Sequence, residues 1–137
     1  MALERRPEWR IALHEVIEAH RRVPFAWGQH DCALFAADCV RAMTGLDLAT
    51  GFRGSYSTAA GATKTLKRAG FKDLVALVGN YFEEIHPIRA GAGDLAAIDT
   101  AEGWALGVVA GDQVTFLGPE GLGNLDRLMA DKAFRIP

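Results

Sequence analysis

Cysteine is scarce in this 137-residue chain, Cys32 and Cys39 being the only two. They fall seven positions apart in a stretch that reads as one helix, about 10.5 Å between Cα atoms at 1.5 Å per residue. That separation excludes a disulfide between them, and two free thiols suit synthesis in a reducing cytoplasm. Histidine is nearly as sparse: His14, His20 and His30 precede Cys32, and His86 alone follows it. No two share the i,i+4 spacing of a helical metal site, and the cysteines lack Cys-x-x-Cys spacing, so neither a metal nor any other cofactor is expected. Neither sign of charge dominates. Fifteen basic against 17 acidic side chains leave a net charge of -2, which removes the electrostatic footprint of a nucleic-acid partner or an anionic membrane surface. No window approaches ~18 apolar residues, and the start at Met1–Arg6 is charged rather than an apolar leader, so neither a membrane span nor a signal peptide is expected. Gly91-Ala92-Gly93 lacks the spacing of a phosphate-binding loop.

What is present is hydrophobic material, 50% of the residues, enough for one domain over residues 1–137 with a core that needs no metal or disulfide staple. Pro7 suits a first helical turn, and Trp9, Leu13, Val16 and Ile17 recur at helical spacing up to His20. Asp31 is placed to N-cap a second helix whose stripe holds Cys32, Phe35, Ala36, Cys39 and Met43, with Gly45 as its stop. Gly51 to Ser57 reads as a loop, Thr58 to Arg68 as a third helix closed by Gly70, and Leu74 to Phe82 as a fourth. From Ala90 the texture changes to short apolar runs at 94–98, 105–110 and 113–117, with Gly111-Asp112 as a hairpin turn and a last strand at 133–136 expected at an edge. Helices first and an antiparallel meander afterwards predict an α+β fold.

The chemistry concentrates at Phe25-Ala26-Trp27-Gly28-Gln29-His30-Asp31-Cys32, where a glycine turn hands over to an apolar helix. Unpaired N–H groups at a helix start favour an anion, so a cysteine in the first turn is placed to act as a thiolate nucleophile, although an Asp31 carboxylate beside it opposes ionisation. A base must come from elsewhere. His30 reads either as a partner of the thiol, if the turn folds back, or as a residue fixing the turn by a backbone hydrogen bond. His86, before Pro87, reads either as a base or as an exposed loop residue. Asp31 is either the helix cap or a partner of His30, and His14 and His20 read as solvated or capping. Phe25, Trp27 and Trp104 are candidates to line a substrate groove, with packing as the alternative.

Phe25, Trp27-Gly28, Asp31-Cys32, Gly93-Asp94-Leu95 and Leu106-Gly107-Val108-Val109 together resemble the NlpC/P60 branch of papain-like cysteine peptidases. A closer resemblance is to the DUF6950 type of phage, prophage and gene-transfer-agent proteins, carried by Phe25 to Ala33, Ala105 to Val108 and Gly118-Pro119-Glu120-Gly121-Leu122. The resemblance implies a papain-like fold with N-terminal helices on a small C-terminal antiparallel sheet and Cys32 as nucleophile. The histidine that opens the second strand in those peptidases aligns with Ala105, the polar residue that orients it aligns near Phe116 or Leu117, and a tyrosine before Trp-Gly aligns with Phe25. Those three roles are therefore empty. The implied function is a structural or adaptor component of a phage or prophage tail with a degenerate peptidase site, made in the cytoplasm and incorporated into a particle, with other tail or virion proteins as partners. The alternative is an active cell-wall cysteine peptidase or amidase acting on peptidoglycan peptides, with Cys32 as nucleophile and His30 or His86 as base.

Overall fold

The computed structural model describes residues 3–137; the first two residues of the charged segment Met1–Arg6 lie outside them. Helix α1 spans Trp9–His20 and buries Leu13, Ile17 and His20. Helix α2, Cys32–Thr44, carries the densest apolar stripe in the chain, and Phe35, Cys39, Val40 and Met43 are wholly buried. It begins at the Asp31 cap, whose carboxylate accepts from Leu34 N–H, and stops at Gly45 in the left-handed conformation (φ 88°), where a side-chain-free residue is at ease. Helices α3, Ala59–Arg68, and α4, Leu74–Tyr81, are capped in the same way by Thr58 and Asp73. All four helices fall where the sequence spacing predicts them, and Asp31 caps the second as expected.

The second half forms one six-stranded antiparallel sheet: β1 Glu84–Ile85, β2 Leu95–Thr100, β3 Gly103–Ala110, β4 Gln113–Gly118, β5 Gly121–Asp126 and β6 Lys132–Phe134, in the order β1-β6-β2-β3-β4-β5. The Gly111-Asp112 hairpin forms as predicted, with Ala110 opposite Gln113. Two expectations change. The C-terminal strand is interior, pairing with β2 on one side and with the two-residue β1 on the other. A further strand, β5, follows Pro119-Glu120 and becomes an edge. Its sequence, Gly-Leu-Gly-Asn-Leu-Asp, is poor in strand formers, and it is held by pairing with β4 and by the Phe116 ring lying over Gly123, where an added Cβ would come within 3.0 Å of the ring.

The pleat sends alternate residues to opposite faces. Leu95, Ala97, Leu106, Val108 and Leu117 face the helices and complete the main core with α1, α2 and α4. Ala96, Val109, Val114 and Ala133 form a smaller cluster on the other face with Ala90 and Ala130, which flank two 3-10 turns at Pro87–Arg89 and Arg127–Met129. Helices on one face of an antiparallel sheet give the α+β architecture predicted, and leave the start of α2 facing β3.

Candidate functional site

The turn before α2 is built by backbone first. Ala26 and His30 exchange hydrogen bonds in both directions, 2.9 and 2.8 Å. Gly28 has φ +80°, and an added Cβ would sit 1.9 Å from the Tyr56 carbonyl oxygen, so only glycine fits. Gly54 N–H donates to the Gly28 carbonyl at 2.9 Å, which docks the loop after α2 onto the Trp27-Gly28 turn. Asp31, 1% exposed, ties these pieces together. One carboxylate oxygen accepts from Leu34 N–H at 2.9 Å, and the other accepts from Gly28 N–H at 2.9 Å and from the Tyr56 hydroxyl at 2.6 Å. Asp31 is thus the helix cap and not the partner of His30. Burial and the neighbouring carboxylate both push the Tyr56 hydroxyl pKa up, keeping it a proton donor to Asp31. Tyr56 is the site residue that sequence reading missed, because nothing in the segment Gly-Ser-Tyr-Ser distinguishes its tyrosine from any other loop residue.

Cys32 stands at the first position of α2, half-buried. Loss of water around the sulfur pushes its pKa up to about 11, the backbone N–H of Leu106 on β3 acts against that, and the Asp31 carboxylate adds to it. Position at a helix start predicts a lowered value; burial and the adjacent carboxylate outweigh the helix end, and the thiol stays protonated at neutral pH. Cys39, wholly buried two turns further along the same helix, is a packing residue, its thiol likewise pushed up by burial.

A cavity of about 310 Å³ opens beside the sulfur, between α2, α3, α4 and the β2–β3 hairpin. Trp27, Tyr56, Trp104 and Leu106 line it together with Asp31 and Cys32. Phe25 does not. It lies behind Trp27, ring edge to ring face, with centroids 5.1 Å apart and planes at 89°.

No histidine lines this cavity among the described residues. The His30 ring turns toward α1, its centroid 5.8 Å from that of His20, and its Nδ1 is buried without a partner. The turn is closed by the backbone of His30 rather than by its ring. His86 is exposed, and its Nδ1 accepts from Ile88 N–H at 3.1 Å at the head of a 3-10 turn. His14 is exposed as expected, whereas His20 is buried instead of solvated. His20 Nδ1–H donates to the Val16 carbonyl at 2.8 Å, and Nε2 lies 3.1 Å from Asp38 Oδ2, off the line of a good hydrogen bond.

Strand register corrects one further expectation. β3 pairs with β2 without interruption from Leu95 opposite Val108 to Thr100 opposite Gly103. Leu106 belongs to the helix-facing core, and Trp104 packs against it. Ala105 therefore projects to the opposite face, beside Ile98, its partner on β2. The side chains that β3 turns to the cavity are Trp104 and Leu106, neither of which accepts a proton. On β4, Leu117 is buried in the main core and Phe116 lies on the far face over Gly123. The described residues include no group of three or more His, Cys, Asp or Glu side chains arranged to hold a metal ion, and no helix among them is long and apolar enough to cross a membrane.

A thiol at a helix start, set against an antiparallel sheet that follows it in the chain, defines a papain-like α+β scaffold of the NlpC/P60 type. The solved NlpC/p60 domain of peptidoglycan hydrolase SagA superposes on it with a TM-score of 0.58 at 18% identity, covering 91% of this chain and 97% of that one. The chain itself belongs to the family described as "Domain of unknown function (DUF6950)", which matches residues 4–136. No curated protein matches the sequence.

Proposed function

We propose that this protein is a non-hydrolytic member of the NlpC/P60 fold, a structural or adaptor component of a phage or prophage tail assembly that keeps the peptidase scaffold without its chemistry. The observation that carries the reading is the wall facing Cys32, where Trp104 and Leu106 stand and no imidazole lines the cavity. Nucleophilic catalysis by cysteine needs a base within hydrogen-bond reach of the sulfur, or a pKa lowered enough to hold a thiolate. Here burial moves the thiol the other way, to about 11. The tail assignment rests on the motifs shared with the DUF6950 type, and the partners it implies are other tail or virion proteins.

Two measurements test the proposal. Iodoacetamide labelling of Cys32 at pH 7 is expected to run slower than that of a free model thiol, and purified peptidoglycan is expected to release no peptides. Labelling faster than the model thiol, together with peptide release that Cys32→Ala abolishes, would overturn it in favour of a cell-wall cysteine peptidase or amidase. Gradient-purified particles are expected to contain the chain, and its absence from them would remove the tail role.

A further inference from the structure

The cavity beside Cys32 is larger than packing requires, and its walls explain why. Helix α2 presents Ala33, Ala36 and Ala37 to it, and helix α3 presents Ala59, Ala62 and Thr63, the same i, i+3, i+4 stripe on each. Leu or Phe would ordinarily occupy such facing positions and fill the space. Helix α4 closes a third side with Leu74, Leu77 and Val78, again at i, i+3, i+4. Apart from Leu34 and Leu66, the side chains that α2 and α3 turn to the cavity are small, which leaves about 310 Å³ open between largely apolar walls. Helix α3 buries one residue of its own, Leu66, and that side chain reaches this space.

We propose that this cavity binds one single-chain aliphatic carboxylate, a fatty acid of medium length. An apolar cavity of about 150 Å³ takes one benzene, so twice that volume takes about twelve carbons. The space holds one such chain, which distinguishes a free fatty acid from a two-chain lipid. Lys72 is the one cation in the lining, it is exposed, and it has no ion-pair partner among the described residues. The lining also holds three carboxylates: Asp31 is buried and accepts from Gly28 N–H, Leu34 N–H and the Tyr56 hydroxyl, Asp73 is held as the α4 cap by Ala76 N–H at 2.8 Å, and Glu102 stands in the exposed turn between β2 and β3. The ligand's head group therefore lies at Lys72 and its chain between the alanine stripes. Binding needs the volume and not the thiol, so the inference goes beyond the adaptor reading and does not depend on it.

Trp27 and Trp104 both line the cavity and report its occupancy by fluorescence. Titration with dodecanoate below its micelle concentration is expected to change tryptophan emission saturably and to raise Tm. Ala62→Phe, which fills the space from α3, is expected to weaken dodecanoate binding by about tenfold or more, with Thr63→Leu as a second filling variant should Ala62→Phe fail to fold. Lys72→Glu is expected to weaken dodecanoate several-fold while leaving dodecan-1-ol unchanged. The proposal is overturned if emission does not saturate, if neither filling variant weakens binding, if Lys72→Glu affects acid and alcohol alike, or if vesicles of a two-chain phospholipid compete as well as the free acid.

Discussion

At Cys32 two local rules compete, and magnitude decides between them. A helix start lowers a thiol's pKa through its free N–H groups, a gain that solvent access makes useful. Removal of water raises it, and here the second effect wins, at about 11. The pleat of β3 puts Trp104 and Leu106, and not Ala105, on the helix side, where they line the same cavity as the sulfur. A histidine placed at 105 would project to the far face. Ala105→His is therefore expected to leave the iodoacetamide labelling rate of Cys32 unchanged. Trp104→His, one pleat position away on the cavity wall, is expected to raise that rate by about tenfold at pH 7, the effect of lowering a thiol pKa by one unit. Equal rates in the two variants would show that the face assignment is wrong.

At the scale of elements, the packing of α1 on α2 carries a charge switch. His20 spends its Nδ1 proton on the Val16 carbonyl, so Nε2, beside Asp38, is an acceptor facing an acceptor until it too is protonated. That demand raises the His20 pKa against the opposing effects of burial and of Arg53, which itself donates to Asp38 at 2.7 Å and to Asp47 at 3.1 Å. Asp38, held by His20 and Arg53, is shifted down despite its burial. Because the folded His20 binds its proton more tightly than the unfolded chain does, the stabilisation is complete below the unfolded value of about 6.5 and is lost as pH rises through the higher folded value. Asp38 contributes in the opposite sense, its stabilisation fading as pH falls below the carboxylate range. Thermal melts are expected to show a Tm a few degrees higher at about pH 6 than at about pH 8. His20→Gln is expected to flatten that difference, and an unchanged difference in the variant would assign it to another group.

Across the whole molecule, the two ends of the chain are clamped by one ion pair. Arg5 donates to Asp94 at 2.9 Å, to the Ile136 carbonyl at 2.9 Å and to the Ala92 carbonyl at 2.7 Å. Asp94 also accepts from Ile136 N–H at 3.0 Å and Gly91 N–H at 2.9 Å. Gly93, with φ +89°, makes room for this crossing, since a Cβ there would meet Arg5 at 2.6 Å and Trp9 at 2.9 Å. The Gly93-Asp94-Leu95 motif thus has a plain mechanical role, joining the segment before α1, the start of β2 and the segment after β6. Arg5→Met removes three charge-assisted donors while Asp94 keeps its backbone partners. Urea unfolding is expected to show a loss of about 2–3 kcal/mol, and a loss below about 0.5 kcal/mol would mean that the clamp is incidental.

Much of this was legible in the chain because it depends on neighbours in sequence. The four helices follow from apolar spacing, the second also from the Asp31 cap, the β3–β4 turn from Gly111-Asp112, and the position of Cys32 at a helix start from Trp-Gly followed by Asp-Cys. Strand β5 was not legible, since its pairing with β4 overrides poor local propensity, nor was the interior place of β6. Helix positions and the place of Cys32 could be read directly from the chain, because both are set within a few positions along the backbone. Long-range packing set the rest: Tyr56 bonds to Asp31 across 25 positions, the His30 ring turns toward His20, and Ala105 lies on the face away from the helices. Those outcomes depend on strand register and on contacts between segments far apart in the chain, and no local spacing encodes them.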